Sequence, residues 1–585
     1  MKLLSASGLE KKFKRRTEEL LPVGSWVDQN EYRNFGLTQN LDYLFLEKKY
    51  KIRTYIPNLR KKLIKTLSLN LNKFHNKNFS EKYWTMLIDP WLSYYLIQNF
   101  YRWVVVKELL KKNKFVRCLY FNNINYDPLF NDDEFLYFII NSKNYNQFIF
   151  QRIYKYQKKI KPSLVVTNIN NFITNDKTKF EIKSEGNLIK KFFFYLLSFF
   201  CSENHFFLDF KLSKINFFKL NLKLGQIPFK GTQIFSRENL NKIFSMKKKI
   251  NKKKREKFHF LKTQDVFEKF ITKYLANDIP SSLIEKYFEI DNQVDQISLK
   301  PSLIYSDTEY MHNTLFKFWL AKMTIKKIPF YTGQHGGYWG NNRQPIHFND
   351  VFTKNNIKWH ARIRKNNTQI PVPYLIPFLD KRLNNNKSKS ILFIGINTTQ
   401  FPSYIGTGPM SNEIFDQVKK IKKFTNKIEV EGKDLYFRPY KGARYWKIEK
   451  ELKKNANLKI VESDKLYRKL FNKTKLIVTT HPRTAFLEAL ISGPTIIILN
   501  EKYYLEEGKL LKAMKELKKA KIMFSHSEQA AEHLNKVWPN IDNWWKNKKV
   551  KKARENFIST VSPTNKDSLN EWIKFFKNEY KEINA

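Results

Sequence analysis

The chain has 585 residues, and its 107 Lys and Arg against 54 Asp and Glu leave a formal charge of +53. With 42% hydrophobic and 16% aromatic residues that charge does not belong to a disordered basic tail, because Phe, Tyr, Trp, Leu and Ile suffice for sizeable cores. Two cysteines, Cys118 and Cys201, are too few for a disulfide framework or a thiolate metal site, which fits a reducing compartment.

At about 100–200 residues per domain the length gives roughly two to four domains. The excess charge has two readings, a cationic face for nucleic acid, anionic lipid or phosphorylated substrates, or a compositional bias. The lysines are spread along the chain, which favours bias; only Lys247 to Lys257 (KKKINKKKREK) is locally extreme.

The start, MKLLSASGLEKKFKRR, becomes charged before any apolar core of useful length, so no secretory signal is expected. Lys2 to Ser7 and Leu20 to Val27 read as strands, Leu59 to Phe74 and Glu81 to Leu110 as long helices, and Val116 to Phe121 as a further strand. Phe192 to Cys201 (FFFYLLSFFC) is well short of the roughly 20 residues of a membrane span and reads as a buried helix or strand. From about 205 to 260 the rhythm breaks, and this piece reads as a Lys-rich insertion. Leu303 to Ser306 (LIYS) is then a strand, His312 to Ile325 a helix, and Ile328 to Gln334 a strand that runs into HGGYWG. Beyond a linker at Asn384 to Ser388, strands at Ser390 to Asn397, Leu435 to Tyr440, Lys475 to Thr480 and Thr495 to Leu499 alternate with helices at Ser411 to Phe424, Asp464 to Phe471 and Arg483 to Ile491. Such alternation predicts a parallel sheet covered by helices on both faces. The expected organisation is α/β: residues 1–383 a Rossmann-like domain with the insertion, 388–545 a second Rossmann-like domain, and 546–585 a helical tail whose Asp567 to Glu582 segment packs back on the first half.

Ligands of open α/β sheets bind beyond the carboxyl ends of the strands, so chemistry is sought there. His335 follows a strand and is trailed by Gly336, Gly337 and Gly340, which let the backbone approach a ligand. A histidine there can serve as general base toward a hydroxyl, or as a structural residue beside a turn. Arg438, Tyr440 and Lys441 follow another strand and suit a nucleotide's phosphates, unless the cations are simply solvated. Thr479, Thr480 and Thr484 lead a strand into a helix start that favours phosphate, and Glu488, one turn on, faces the same way and suits ribose hydroxyls. The alternative makes Thr484 a cap and Glu488 a surface residue. Asp89, inside a long apolar helix, is either an acceptor-side base or a capping residue at Pro90, and Asp307 or Glu309 after LIYS is a further acid at a ligand edge. No Asp-x-Asp follows a suitable strand and the ten histidines are scattered, so neither metal nor cofactor is expected.

In this order the motifs resemble those of GT-B glycosyltransferases, in which two Rossmann-like domains face a cleft and the second binds the nucleotide donor. More narrowly, LPVGSW at Leu21 to Trp26, YWTMLIDPWL at Tyr83 to Leu92, QHGGYWG at Gln334 to Gly340, LYFRPY at Leu435 to Tyr440 and the Thr479 to Thr495 segment resemble a transferase family of surface-polysaccharide (O-antigen) loci. Its members carry Cys after the Trp of the first motif, where Val27 stands here. The resemblance implies a cytoplasmic, membrane-peripheral enzyme moving a sugar from a nucleotide sugar to a glycan or lipid-linked acceptor. His335 would act as base or leaving-group stabiliser, Arg438 with the Thr479 to Thr484 helix start would hold donor phosphate, and Glu488 would hold ribose. Rival readings are a glycerol-phosphate or polyol-phosphate transferase of the same fold, a basic nucleic-acid-binding protein, and a non-catalytic scaffold.

Overall fold

The computed structural model describes residues 1–24, 26–27, 49–113, 115–161, 163–170, 179–182, 204–227, 234–246, 249–337, 353–360, 367–383, 385, 387–396, 399–401, 414–430, 432–440, 446, 448–453, 458–499 and 508–585. Phe192 to Cys201, Lys247, Lys248, Tyr338 to Gly340 and Lys441 lie outside the described residues.

Three wholly parallel sheets carry the fold. The first has the order β2-β1-β3-β4, with β1 (Lys2–Ser5), β2 (Glu19–Pro22), β3 (Val116–Phe121) and β4 (Leu164–Ile169). Helix Glu81–Lys112 packs among helices Ile52–His75, Lys143–Lys158 and Thr314–Ile325 and is buried on every side, as expected of a helix without a polar stripe. Asp89 sits mid-helix with no solvent exposure; Arg60 grips it through Nε at 2.7 Å and Nη2 at 2.9 Å, and the Ser93 hydroxyl donates at 2.9 Å. Burial pushes its pKa up while Arg60 opposes the shift. The loop after β1 is closed by its own residue: the buried Glu10 carboxylate accepts from the Ala6 and Gly8 amides, each at 3.0 Å, and from the Ser5 and Ser7 hydroxyls. Within LPVGSW, the Trp26 indole donates to Ala6 O at 2.6 Å and its ring meets Phe401 of the C-terminal half.

The second sheet runs in sequence order, β5 (His205–Leu208), β6 (Leu303–Ser306), β7 (Phe330–Gly333), β8 (Asn355–Lys358) and β9 (Asn367–Gln369). The N-terminal half therefore holds two sheets, and the segment read as an insertion opens with an edge strand. The reason is local: Phe206 packs on one face against Phe235 and Trp319, Phe207 on the other against Tyr305 and Phe576, so the adjacent aromatics serve opposite faces of a four-residue strand. Helix Ser568–Asn584 covers the second face with Trp572, Ile573 and Phe576. Its incoming segment lies beside the outgoing one, Val372 N donating to Pro563 O and Trp572 Nε1 to Pro371 O, each at 2.7 Å.

The third sheet has the order β12-β11-β10-β13-β14-β15, from β10 (Ser390–Ile394), β11 (Asp434–Arg438), β12 (Leu458–Ile460), β13 (Leu476–Thr479), β14 (Thr495–Ile498) and β15 (Met523–Phe524). Renumbered from its first strand this is 3-2-1-4-5-6, the dinucleotide-fold order, with the strand direction of travel reversing between β10 and β13. Among the described residues no helix is long and apolar enough to cross a membrane.

Candidate functional site

A cavity of about 1010 Å³ opens where the carboxyl ends of β10, β11 and β13 meet the loop after β5 and the Pro373–Phe378 turn. Its size is at the upper end of the ~300–1,000 Å³ of small-molecule sites.

From the second sheet come three neighbouring strand ends. Leu208 pairs with Ser306 and Ser306 with Thr332, so Asp209, Asp307 and Gly333 stand side by side. Gly333 is obligatory there, since a Cβ would lie 2.3 Å from Asp307 Oδ1 and 1.8 Å from the Tyr305 hydroxyl. Asp307 accepts from the Tyr305 hydroxyl at 2.5 Å and from Lys211 N at 3.0 Å; burial pushes it up to about 7 against that tyrosine bond, with the Asp209 charge adding. Asp209, at φ +57°, accepts from the Thr308 hydroxyl.

The Gln334 side chain locks the next loop, its amide donating to Gly336 O at 2.6 Å and its oxygen accepting from Trp359 N at 3.0 Å. The loop then docks on the third sheet: Gly337 N donates to Thr484 Oγ1 at 2.8 Å, at the start of helix Thr484–Ser492. His335 O accepts from Lys211 Nζ at 3.0 Å, while the imidazole has no hydrogen-bond partner among the described residues. The residue is exposed, yet partial burial of the ring, with the Lys211 and His312 charges, draws its pKa down to about 4. At neutral pH it is the uncharged, proton-accepting form.

Lys211 spans the two halves. Its ammonium lies 4.4 Å over the Tyr374 ring, and its charge is felt by Glu488. Tyr374 in turn donates to Glu488 Oε1 at 2.6 Å, and burial raises the Glu488 pKa. Thr479 and Thr480 end β13 buried, and their hydroxyls, like His481 Nδ1, have no hydrogen-bond partner among the described residues. Burial holds His481 neutral, with a pKa of about 3. Of these three only His481 lines the cavity, where an orphaned polar atom costs energy that a ligand can return.

The structure thus brings the loop of His335, Gly336 and Gly337 onto the helix start at Thr484, which lines the cavity with Glu488 and the exposed Tyr440, whereas Thr479 and Thr480 are buried and do not line it. It does not gather Asp89, which is buried where helix Glu81–Lys112 meets helix Ile52–His75; an acid clamped by Arg60 and shut off from solvent cannot meet an acceptor. Arg438 lines the cavity, but it donates to Val461 O at 2.9 Å, Glu462 O at 2.6 Å and the Asp464 carboxylate. It therefore anchors the β11–β12 edge more than it offers a phosphate clamp. Lys211, Asp209 and Tyr374 were not legible as site residues. Lys211 and Asp209 sit in FLDFK after an unrecognised strand, whose end was the available signal.

Several solved structures share parts of this architecture at low similarity. A Listeria monocytogenes protein assigned as a UDP-N-acetylglucosamine 2-epimerase is 10% identical with a TM-score of 0.35, over 65% of this chain and 97% of that one. Acinetobacter baumannii MurG is 11% identical, TM-score 0.31, over 64% and 99%. Staphylococcus aureus TarM, solved with fondaparinux, α-GlcNAc-glycerol and UDP, is 15% identical, TM-score 0.31, over 47% and 55%. Likeness at this level carries no weight for activity or ligand. No curated protein matches the chain. The match that does decide affiliation runs from residue 2 to residue 576, nearly the whole chain, and by it the protein belongs to the LIC12162 family of transferases.

Proposed function

We propose that the protein is a glycosyltransferase that moves a sugar from a nucleotide-activated donor to a hydroxyl of a surface polysaccharide or its lipid-linked precursor. The observation that carries this reading is the junction of the His335 loop, whose imidazole is neutral, with the start of helix Thr484–Ser492, where Thr484, Glu488 and the orphaned Nδ1 of His481 belong to the cavity wall. A nucleoside diphosphate would lie across the carboxyl ends of β10, β11 and β13, its charge met by Lys211 and Arg483 and its ribose by Glu488. The acceptor oxygen attacks the sugar's anomeric carbon, the bond to the diphosphate breaks with its electrons leaving on phosphate oxygen, and His335 takes the hydroxyl proton. Work at an anionic membrane surface on the cytoplasmic side is favoured by the concentrated run Lys247 to Lys257 and not by the overall charge, which is spread along the chain.

His335→Ala tests the base. Transfer should fall by about 10²–10⁴-fold while nucleotide binding, read as a thermal shift, persists. Unchanged turnover removes the assigned role. Product mass separates a transferred sugar from a transferred polyol phosphate.

A further inference from the structure

A second cavity, of about 810 Å³, opens at the carboxyl end of β3 and shares no lining residue with the first. Four separate elements wall it. Tyr120 comes from β3, Arg152 and Lys155 from helix Lys143–Lys158, Lys252 from helix Lys252–Arg255, and Lys273 and Tyr274 from helix Val266–Asp278.

The cations differ in what they are committed to. Arg152 is spent: Asp278 accepts from its Nη1 with both oxygens, at 2.8 and 2.7 Å, and its guanidinium is stacked between Phe148 at 4.0 Å and Tyr274 at 4.6 Å. It makes a rigid, neutralised floor. Lys155, 3.6 Å over the Tyr120 ring, Lys273, 5.5 Å over Tyr274, and Lys252 have no carboxylate partner among the described residues. Two acids, Asp127 and Glu256, also line the cavity and are likewise unpaired, so three lysines less two acids leave one positive charge with the signs held apart. The Lys-rich helix is a fixed wall. Its Arg255 is fully buried, gripping Glu285 at 2.8 and 2.7 Å and donating to Ala276 O and Ile279 O.

We propose that this cavity binds a phosphate-bearing sugar. Separated ammonium groups, two of them held over tyrosine rings, suit a phosphate, and the unpaired carboxylates suit the hydroxyls of a sugar. The position beyond a strand's carboxyl end is where parallel sheets bind ligands. The volume admits a small glycan phosphate and excludes a folded polynucleotide. The binding does not depend on the function proposed above.

Glucose 1-phosphate titrated calorimetrically at low salt tests the site on the full chain. Lys155→Glu and Lys273→Glu should each weaken binding about tenfold or more, as expected for loss of a charge-assisted hydrogen bond. Tyr120→Ala should weaken it without altering the charge, and Lys219→Glu, an exposed lysine away from the cavity, should leave it unchanged. A second arm measures sedimentation with phosphatidylcholine vesicles carrying a glucosyl-phosphoryl-polyprenol. Binding in either arm that is lost in the two cavity variants and kept in Lys219→Glu upholds the site and assigns the source as soluble or lipid-linked. Failure of the unaltered protein to bind in both arms, or equal loss in Lys219→Glu, overturns it.

Discussion

Gly337→Ala isolates the contact by which the histidine loop meets the third sheet. A Cβ at this position would lie 2.5 Å from Leu487 Cδ1 and 3.0 Å from both Cα and N of Thr484. The leucine end can swing away, but the helix backbone cannot, and against ordinary contacts of about 3.5–4.0 Å the loop must recede by roughly half an ångström. That stretches the 2.8 Å bond from Gly337 N to Thr484 Oγ1 beyond about 3.2 Å, where it weakens. The stability lost is about 1–3 kcal/mol, the usual range for overpacking. Function should suffer more, because catalytic groups need placement within about 0.5 Å and a misplacement of about 1 Å costs roughly 100-fold. We expect turnover down about tenfold to 100-fold, with a single unfolding transition retained. Gly336→Ala is the milder comparison: its Cβ would meet only Thr484 Oγ1, at 3.2 Å, a contact relieved by a shift of a few tenths of an ångström that keeps the Gly337 bond within range. Turnover measured beside urea unfolding decides. Wild-type turnover in Gly337→Ala, or equal losses in both variants, refutes the argument.

Asp89→Ala strands Arg60 in the core and should cost about 3–5 kcal/mol in urea unfolding, with loss of activity only in proportion to loss of fold; a stable, folded variant with selectively abolished transfer would return Asp89 to the chemistry. His481, buried and held near a pKa of about 3 against an ordinary value of about 6.5, binds fewer protons folded than unfolded, so its contribution is intact above pH ~6.5 and is lost as pH falls toward 3, by roughly 2 kcal/mol at pH 5. His481→Phe should flatten that limb of the stability-against-pH curve, and an unchanged slope would count against it. Tyr374→Phe removes the hydroxyl that donates to Glu488 and should change the KM for donor several-fold with little effect on kcat; a kcat effect alone would place the tyrosine elsewhere in the cycle.

Four of the six strands of the third sheet were legible, because they are short apolar runs such as SILFI, LIVT and TIII closed by polar loops, whereas β12 and β15, three and two residues long, carry too little pattern to be read. The His335 loop and the Thr484 helix start were legible because glycine is scarce elsewhere and strand ends attract attention. In the second sheet β6 and β7 were legible, but the edge strand β5 was not. His205–Leu208 is four residues long, and its flanks LDFKLSKINFF read as alternation, while its partner β6 lies almost a hundred residues later in the chain. Arg438 and Asp89 show the complementary gap: the sequence names a charged residue at a promising position and is silent about Val461 O, Glu462 O or Arg60, which consume it.

The paired segments around Val372 and Pro563 constrain how the cleft can move. The polypeptide crosses between the second and third sheets once on its way out and once on its way back, and the two crossings are stitched by a backbone hydrogen bond and the Trp572 indole. A single linker would allow the halves to twist and swing in any direction. Two adjacent strands of chain form a flat hinge that resists twisting and leaves one easy rotation, opening and closing the gap between His335 and Glu488. Donor entry and product release should then share a single degree of freedom, and a flexible insertion in either crossing would uncouple closure from ligand binding while leaving each half folded.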